Sequence, residues 1–314
     1  MSARSDSRRS TSPVRWNSPE LASLIDDARR RFTHAGIASP DVDATVIAAA
    51  LLGESSRLAL RFYSPDQIPA SFAVAYEAAV KRREKREPLQ HIVGSAPFGI
   101  LDLRVGPGVF IPRPETEVLA EWAVTEFEKL SEEYEGQPDE SIIVDLGTGS
   151  GALAIYIDQR VQADEVIGVD LSPVAVEAAM DNAHEHGSAV RIIEGDMTDP
   201  DLLSEYSGRV AMVVSNPPYV PFAPQEAGLL DPEVYHDPET AVFSGEDGMD
   251  AIRGLIPVAA RLLMPGGLLG IEHDDSTAAV TRELVEKQGC FEHVRNLKDL
   301  TGRDRFVTAS KVQP

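Results

Sequence analysis

Apolar residues are spaced in two different ways along this chain. Up to about residue 90 they recur every three or four positions: Leu21, Leu24, Ile25, Ala28 and Phe32, then Val42, Val46, Ile47, Ala50 and Leu51. Each set follows a helix start, Ser18-Pro19-Glu20 or Ser39-Pro40-Asp41, and stops at a glycine, Gly36 or Gly53. A third amphipathic stretch covers Leu58 to Phe62. A fourth, from Pro69 to Arg86, puts Phe72, Tyr76, Ala79 and Val80 on one face. No strand signal interrupts them, so residues 17–90 predict a small helical domain suited to binding or positioning.

The second spacing is short, dense runs alternating with helical stretches. Ile142-Ile143-Val144, Val166 to Val169, Val190 to Ile193, Val210 to Ser215 and Gly267 to Ile271 read as buried strands. Phe291 to Asn296 and Arg305 to Thr308 follow as two more. Helices are predicted from Pro114 to about Glu133, from Ala152, over Pro173 to His184, over Ala251 to Leu263 and over Thr277 to Lys287. This alternation predicts an α/β fold with a parallel sheet, helices on both faces and right-handed crossovers. Between the two regions, Pro88 to Ile111 is rich in Gly and Pro. His91-Ile92-Val93-Gly94 and Phe98 to Val105 carry apolar residues that suggest a β-hairpin linker over 91–111.

Candidate chemistry gathers at strand ends. Asn216-Pro217-Pro218-Tyr219 terminates the Val210 strand, because two prolines cannot supply the N–H groups of a central ladder. The amide of Asn216 and nearby main-chain carbonyls then face out at the carboxyl edge, where open α/β sheets bind ligands. Such a group suits a flat NH2, with carbonyl oxygens accepting its hydrogens and an aromatic ring on its face. A Pro-rich turn with no further role fits the same residues.

Asp145-Leu146-Gly147-Thr148-Gly149-Ser150-Gly151 lies between the first strand and its helix, a nucleotide-binding arrangement. Asp170, at the end of the second strand, is placed to grip ribose hydroxyls. Gly147, Gly149 and Ala152 also satisfy the NAD variant of the motif. Two acids favour S-adenosylmethionine instead. Asp145 would meet a cationic amino-acid end, and Asp196, in Glu194-Gly195-Asp196-Met197, an adenine amino group. Asp196 can equally cap a turn with Thr198. Arg113, held extended between Pro112 and Pro114, fits a surface residue or one reaching toward a ligand, and the extended backbone favours the second.

Charge narrows the partners. There are 29 Lys and Arg against 51 Asp and Glu, a net −22, and Arg4, Arg8, Arg9 and Arg15 leave the rest of the chain more acidic still. Such a body repels a phosphate backbone, which speaks against DNA or RNA as the main substrate. Residues 1–16, rich in Ser and Arg without an apolar core, read as a disordered tail and not a secretory signal. A single cysteine, Cys290, fits a reducing cytosol, and no apolar run is long enough to span a bilayer. His91, His184, His236 and His273 lack metal-ligand spacing and are read as structural or surface residues.

Joined together, these segments resemble the PrmC/HemK family over roughly residues 18–312. The resemblance rests on Phe98-Gly99, on Ile111-Pro112-Arg113-Pro114-Glu115-Thr116-Glu117, on the glycine loop and on Asn216-Pro217-Pro218-Tyr219-Val220. Asp231-Pro232-Glu233-Val234, Gly245-Glu246-Asp247-Gly248 and Asp304-Arg305-Phe306 also look like family segments. The Pro-Arg-Pro-Glu-Thr segment is the most specific of these, since the glycine loop and the Asn-Pro-Pro-Tyr motif occur in many methyltransferases. Three positions depart from the family pattern: Met197 where an aromatic is common, Tyr235 where Arg is usual, and Ile271-Glu272-His273 where Glu-Ile-Gly is usual.

The resemblance implies a Rossmann-like class I methyltransferase sheet of seven strands, the last antiparallel, over residues 112–314. It implies S-adenosylmethionine as cofactor, held by Gly147, Thr148, Gly149, Ser150, Gly151, Asp170, Asp196, Met197, Asn216, Arg113, Glu115 and Thr116. The expected substrate is the side-chain amide nitrogen of the glutamine in the GGQ motif of peptide-chain release factors. Asn216, Pro217, Pro218 and Tyr219 would carry catalysis, with Phe98 beside them at the substrate, and the helical domain would dock the release factor in the cytoplasm. Two other readings stay open: methylation of an exocyclic amino group on a nucleic-acid base, and a non-catalytic binding module.

Overall fold

The computed structural model describes residues 16–133, 141–228 and 230–313, so that all of the expected tail 1–16 but Trp16 lies outside them. The chain divides into two compact units with the break after Val93. Among the described residues no helix is long and apolar enough to cross a membrane.

The first unit is helical. Helices α1 (Pro19–His34), α2 (Pro40–Leu51), α3 (Phe72–Glu84) and α4 (Leu89–Val93) bury Leu21, Ile25, Phe32, Ile47, Leu60, Phe72 and Tyr76 together. Ser18 caps α1, its hydroxyl accepting from the Leu21 N–H at 3.2 Å. Trp16, expected in the tail, packs on this core instead. On α2 the apolar stripe turns further than its spacing suggests. Val42 is exposed while Asp43 is buried, because Arg83 of α3 donates to it at 2.7 Å. His91 to Val93, expected to open the hairpin, form the helix α4, and Leu89, Ile92 and Val93 pack on the helical core. So short a segment, with Gln90 and His91 inside it, has no periodicity that separates strand from helix, and here core contacts decide.

The second unit opens with the hairpin β1 (Ser95–Phe98) and β2 (Leu101–Arg104), then helix α5 (Thr116–Glu133). The main sheet follows: β3 (Ile142–Leu146), α6 (Ala152–Asp158), β4 (Glu165–Asp170), α7 (Pro173–Glu185), β5 (Arg191–Glu194) and β6 (Val210–Ser215). Then come α8 (Glu239–Val242), α9 (Asp250–Leu262), β7 (Leu263–Glu272), α10 (Ala278–Lys287), β8 (Phe291–Lys298) and β9 (Asp304–Lys311). Strand order is β5-β4-β3-β6-β7-β9-β8; β3 to β7 pair in parallel and β9 runs antiparallel to both neighbours. This is the seven-stranded arrangement the sequence implied.

Both faces of the sheet are covered, as a parallel sheet requires. Ile143, Met212 and Val214 face α5 and α6, while Ile142, Val144 and Val213 face α9. Successive residues therefore enter opposite cores, and each buried Val, Leu or Ile contributes about 1.5–3 kcal/mol. The chain runs outward from β3 through β4 to β5, then returns to lay β6 on the other side of β3. That reversal opens a crevice beyond the carboxyl ends of β3 and β6.

Candidate active site

The crevice holds a cleft of about 1030 Å3 including its open mouth. Its wall includes Gly147, Thr148, Gly149, Ser150, Asp145, Asp170, Asp196, Met197, Asn216, Pro218, Thr116 and Phe98. Residues expected from four separate segments of sequence thus meet on one surface.

The glycine loop is shaped by backbone that only glycine adopts at low cost. Gly147 has φ +80°, and a Cβ there would stand 2.7 Å from Met197 Cε. Asp170 ties the loop down: one carboxylate oxygen accepts from the Gly149 N–H at 2.8 Å and the other from the Ser172 N–H at 2.9 Å. Asp196 takes the turn-capping role open to it, accepting from the Thr198 N–H and hydroxyl at 2.8 and 2.7 Å. It lines the cleft as well.

Asp145 is fully buried at the base of the loop. Its Oδ2 accepts from the Thr148 hydroxyl at 2.7 Å, whereas Oδ1 has no hydrogen-bond partner. Burial pushes this carboxyl up to about 7, against the pull of the Thr148 hydroxyl. A buried orphan oxygen on a cleft wall is what an incoming ammonium group would satisfy. Together with the glycine cradle and Asp170 on the same wall, it fits the charge and shape of S-adenosylmethionine.

On the facing wall, Asn216 leaves β6 with its amide nitrogen donating to Thr116 Oγ1 at 3.2 Å. Thr116, at the start of α5, donates to Glu272 Oε2 at 2.7 Å, and Tyr219 donates to Glu272 Oε1 at 3.0 Å. Glu272 ends β7, and the pairing of Ser215 with Ile271 sets it beside Asn216. It is buried, and desolvation pushes its carboxyl up to about 7, opposed by the Thr116 and Tyr219 hydroxyls. Burial also holds the Tyr219 phenol well above its ordinary range.

Several expected contacts take other forms. Tyr219 does not form part of the cleft wall; its ring packs on the core between the sheet and α9 and its hydroxyl is committed to Glu272. Pro217 is a buried residue, and Pro218 lines the wall. Phe98 backs the wall, edge-on to Tyr156 with ring centroids 5.7 Å apart. Arg113 and Glu115 stand off the wall. Arg113 pairs with buried Asp237 and lies 4.9 Å over the ring of Phe110, which does line the cleft. The double-proline context that holds Arg113 extended thus aims it at a carboxylate of its own chain.

Pro238, Thr240 and Ala241 complete the wall and were not picked out from sequence. They belong to a segment stitched back onto the chain after Tyr219. The Val220 N–H donates to Val242 O at 3.0 Å, and the Ser244 N–H donates to Val220 O at 2.9 Å. Gly248 passes so close to Tyr219 that a Cβ there would stand 2.4 Å from the Tyr219 carbonyl oxygen. Glu272 was also missed; the only signal was an acid at the end of the fifth strand.

Comparison with known proteins then places the chain. Residues 23–94 match the PrmC N-terminal domain and residues 143–229 a methyltransferase domain. A release factor glutamine methyltransferase of Corynebacterium glutamicum is 50% identical over 292 residues, which is 93% of this chain and 99% of that protein. The chain belongs to the release factor glutamine methyltransferase family. A member from Mycolicibacterium smegmatis is 47% identical across 93% of this chain and 98% of its own. A more distant relative is named 4-amino-L-phenylalanine/4-methylamino-L-phenylalanine methyltransferase, from Streptomyces pristinaespiralis. It is 36% identical across 88% of this chain and 90% of its own. Among solved structures, the hMettl16 catalytic domain in complex with MAT2A 3'UTR hairpin 6 shares the fold. Its TM-score is 0.50 at 14% identity, over 77% of this chain and 82% of that one.

Proposed function

We propose that this chain methylates the side-chain amide nitrogen of the glutamine in the GGQ motif of peptide-chain release factors, with S-adenosylmethionine as methyl donor. The observation that carries the reading is Asn216. One of its amide N–H groups donates to Thr116, which turns Oδ1 the other way as the acceptor it can offer across the cleft from the glycine loop.

A carboxamide nitrogen is a poor nucleophile, because its lone pair is delocalised into the carbonyl. S-adenosylmethionine supplies a methyl group made electrophilic by its sulfonium. Asp145 Oδ1 would receive its ammonium end and Asp170 its ribose hydroxyls, with Met197 and Gly147 lining the same wall. Asn216 Oδ1 and the Pro217 main-chain carbonyl each accept one N–H of the substrate amide. Two acceptors fix the NH2 plane and draw the nitrogen toward tetrahedral geometry, with its lone pair aimed at the methyl; as the N–C bond forms the methyl–sulfur bond would break, S-adenosylhomocysteine would leave, and the extra N–H proton would pass to solvent. Positioning of this kind is worth ~7–11 kcal/mol in favourable cases. Oriented carbonyl dipoles add to it.

The family relatives named for release factors support the substrate, as does the PrmC-type helical domain that would dock it. A second reading is a free aromatic amine, favoured by the Streptomyces pristinaespiralis relative, whose name gives a 4-amino-phenylalanine. Methylation of a nucleic-acid base shares the Asn-Pro-Pro-Tyr chemistry, but the net charge of −22 opposes it.

The deciding experiment offers labelled S-adenosylmethionine together with release factor, release factor lacking the GGQ glutamine, 4-aminophenylalanine, or tRNA. Label transfer only to the intact release factor is expected. Transfer to the glutamine-less factor, or equal transfer to the amine or tRNA, would overturn the reading. Asn216→Ala should bind the cofactor and lose turnover.

A further inference from the structure

We infer that Thr116 and Glu272 are positioning residues that fix which end of the Asn216 amide faces the cleft. This rests on the proposed role of Asn216 as the acceptor of a substrate N–H. The Asn216 amide is symmetric in shape, so the site works only if something distinguishes its oxygen from its nitrogen. Were the amide turned over, NH2 would face NH2 and the substrate would be repelled.

The hydrogen-bond chain makes the distinction by its polarity. An ionised carboxylate has acceptors only. The Glu272 carboxylate therefore takes a hydrogen from Thr116 at 2.7 Å and another from Tyr219 at 3.0 Å. The Thr116 hydroxyl has one hydrogen, and it is committed to Glu272. Toward Asn216 that hydroxyl can only accept, so Asn216 must present its NH2 there, at 3.2 Å. The oxygen is left on the opposite side of the amide.

Burial makes this rule strict. Thr116 and Glu272 are 3% and 1% exposed, so no surrounding water stands ready to replace a broken link. The three anchors come from different elements: Thr116 from the start of α5, Glu272 from the end of β7, and Asn216 from just beyond β6. Helix and sheet are held rigidly against each other by Leu119, Ala120 and Ala123 of α5 in the same core as Met212 and Val214 of β6. An orienting link between such elements costs little mobility in the substrate-bound state.

Protonated Glu272 would lose the rule. With its proton on Oε2 it can donate to Thr116, whose own hydrogen is then free to turn toward Asn216. The amide is then stable in either orientation.

The experiment uses the full chain with release factor as substrate, and measures kcat and KM, cofactor affinity and Tm for Thr116→Val, Thr116→Ser, Glu272→Gln and Asn216→Ala. Thr116→Val keeps the shape and removes the hydroxyl. It should lower kcat about 10- to 100-fold with cofactor affinity within about threefold of wild type. Thr116→Ser keeps the hydroxyl and should restore kcat to within about threefold. Glu272→Gln, which can donate as well as accept, should lower kcat and flatten the acid side of the kcat–pH profile.

Wild-type kcat in Thr116→Val would overturn the inference. So would a Thr116→Ser as slow as Thr116→Val, since packing and not the hydroxyl would then matter. Should Thr116→Val fail to fold, Glu272→Gln still decides: a wild-type rate and pH profile there sinks the idea. An inactive Asn216→Ala beside an active Thr116→Val leaves the function standing and removes only the positioning role. An active Asn216→Ala removes both.

Discussion

The Asn216 amide nitrogen lies 3.2 Å from Thr116 Oγ1, although the two residues are 100 positions apart in the chain. Thr116 in turn meets Glu272, 156 positions further on. The reactive edge of the sheet is therefore braced by a helix that precedes every strand of that sheet.

Turnover should carry an acid limb. Burial pushes the Glu272 carboxyl up to about 7, with the Thr116 and Tyr219 hydroxyls and the Arg305 guanidinium pulling it down and Glu115 pushing it up. Burial pushes the neighbouring His273 below its ordinary range. As pH falls through about 7, Glu272 gains a proton and the orientation of Asn216 relaxes. We expect kcat, at saturating cofactor, to fall about twofold from pH 8 to pH 6, because protonation leaves about half the amides in the productive orientation. A kcat flat across that range would contradict it.

Asp145→Asn should separate stability from binding. The Asp145 carboxyl is raised from 3.8 to about 7, so its favourable contribution is present below about 3.8 and is lost as pH rises through about 7. Above that, the native state carries a buried charge, a penalty on the order of 4 kcal/mol before relaxation. The variant removes that charge. Its Tm without cofactor should exceed wild type by several degrees at pH 8, a gain that shrinks toward pH 5. Its affinity for S-adenosylmethionine should drop tenfold or more, measured by calorimetry at pH 8.

Gly147→Ala tests the cradle. The left-handed backbone at φ +80° costs an alanine about 1–2 kcal/mol, and its Cβ presses Met197 Cε into the cleft. Cofactor binding should weaken about tenfold or more, and Met197→Ala in the same chain should recover part of it. Recovery is expected because the Met197 end is flexible while the backbone strain remains. Equal affinity in the single and double variants would count against the contact.

Arg113→Ala should act at a distance. Arg113 braces Phe110 and Asp237 without forming the wall itself. The Kd for cofactor is expected to rise about three- to tenfold, while kcat at saturating cofactor stays near wild type. A loss of kcat with unchanged affinity would show that Arg113 touches the reacting groups.

What the sequence discloses here depends on how local each relationship is. Gly147 to Gly151 and Asn216 to Pro218 announce themselves, because glycine freedom and proline restriction act within a few residues. The role of Glu272 is invisible in one dimension. A carboxylate at a strand end is ordinary until Thr116 and Tyr219 are seen on its two oxygens. Tyr219 sits in the motif expected of it, yet its ring turns into the core because Glu272 offers a buried acceptor. Arg113, expected to reach toward a ligand, meets Asp237 instead, 124 positions away, and no local pattern foretells the pair. His91 to Val93 were too short a run to declare a period.

Ser215 of β6 and Ile271 of β7 are partners in the ladder, so Asn216 and Glu272 emerge from it in step. The sheet's own spacing thus gauges the chemistry, and a slip of one rung would throw Glu272 to the opposite face. The segment from Pro238 to Ser244, by contrast, is tied to Val220 through Val242 and Ser244 and belongs to no strand of that sheet. An engineer seeking a new nitrogen acceptor would leave the two strands alone and reshape that rim.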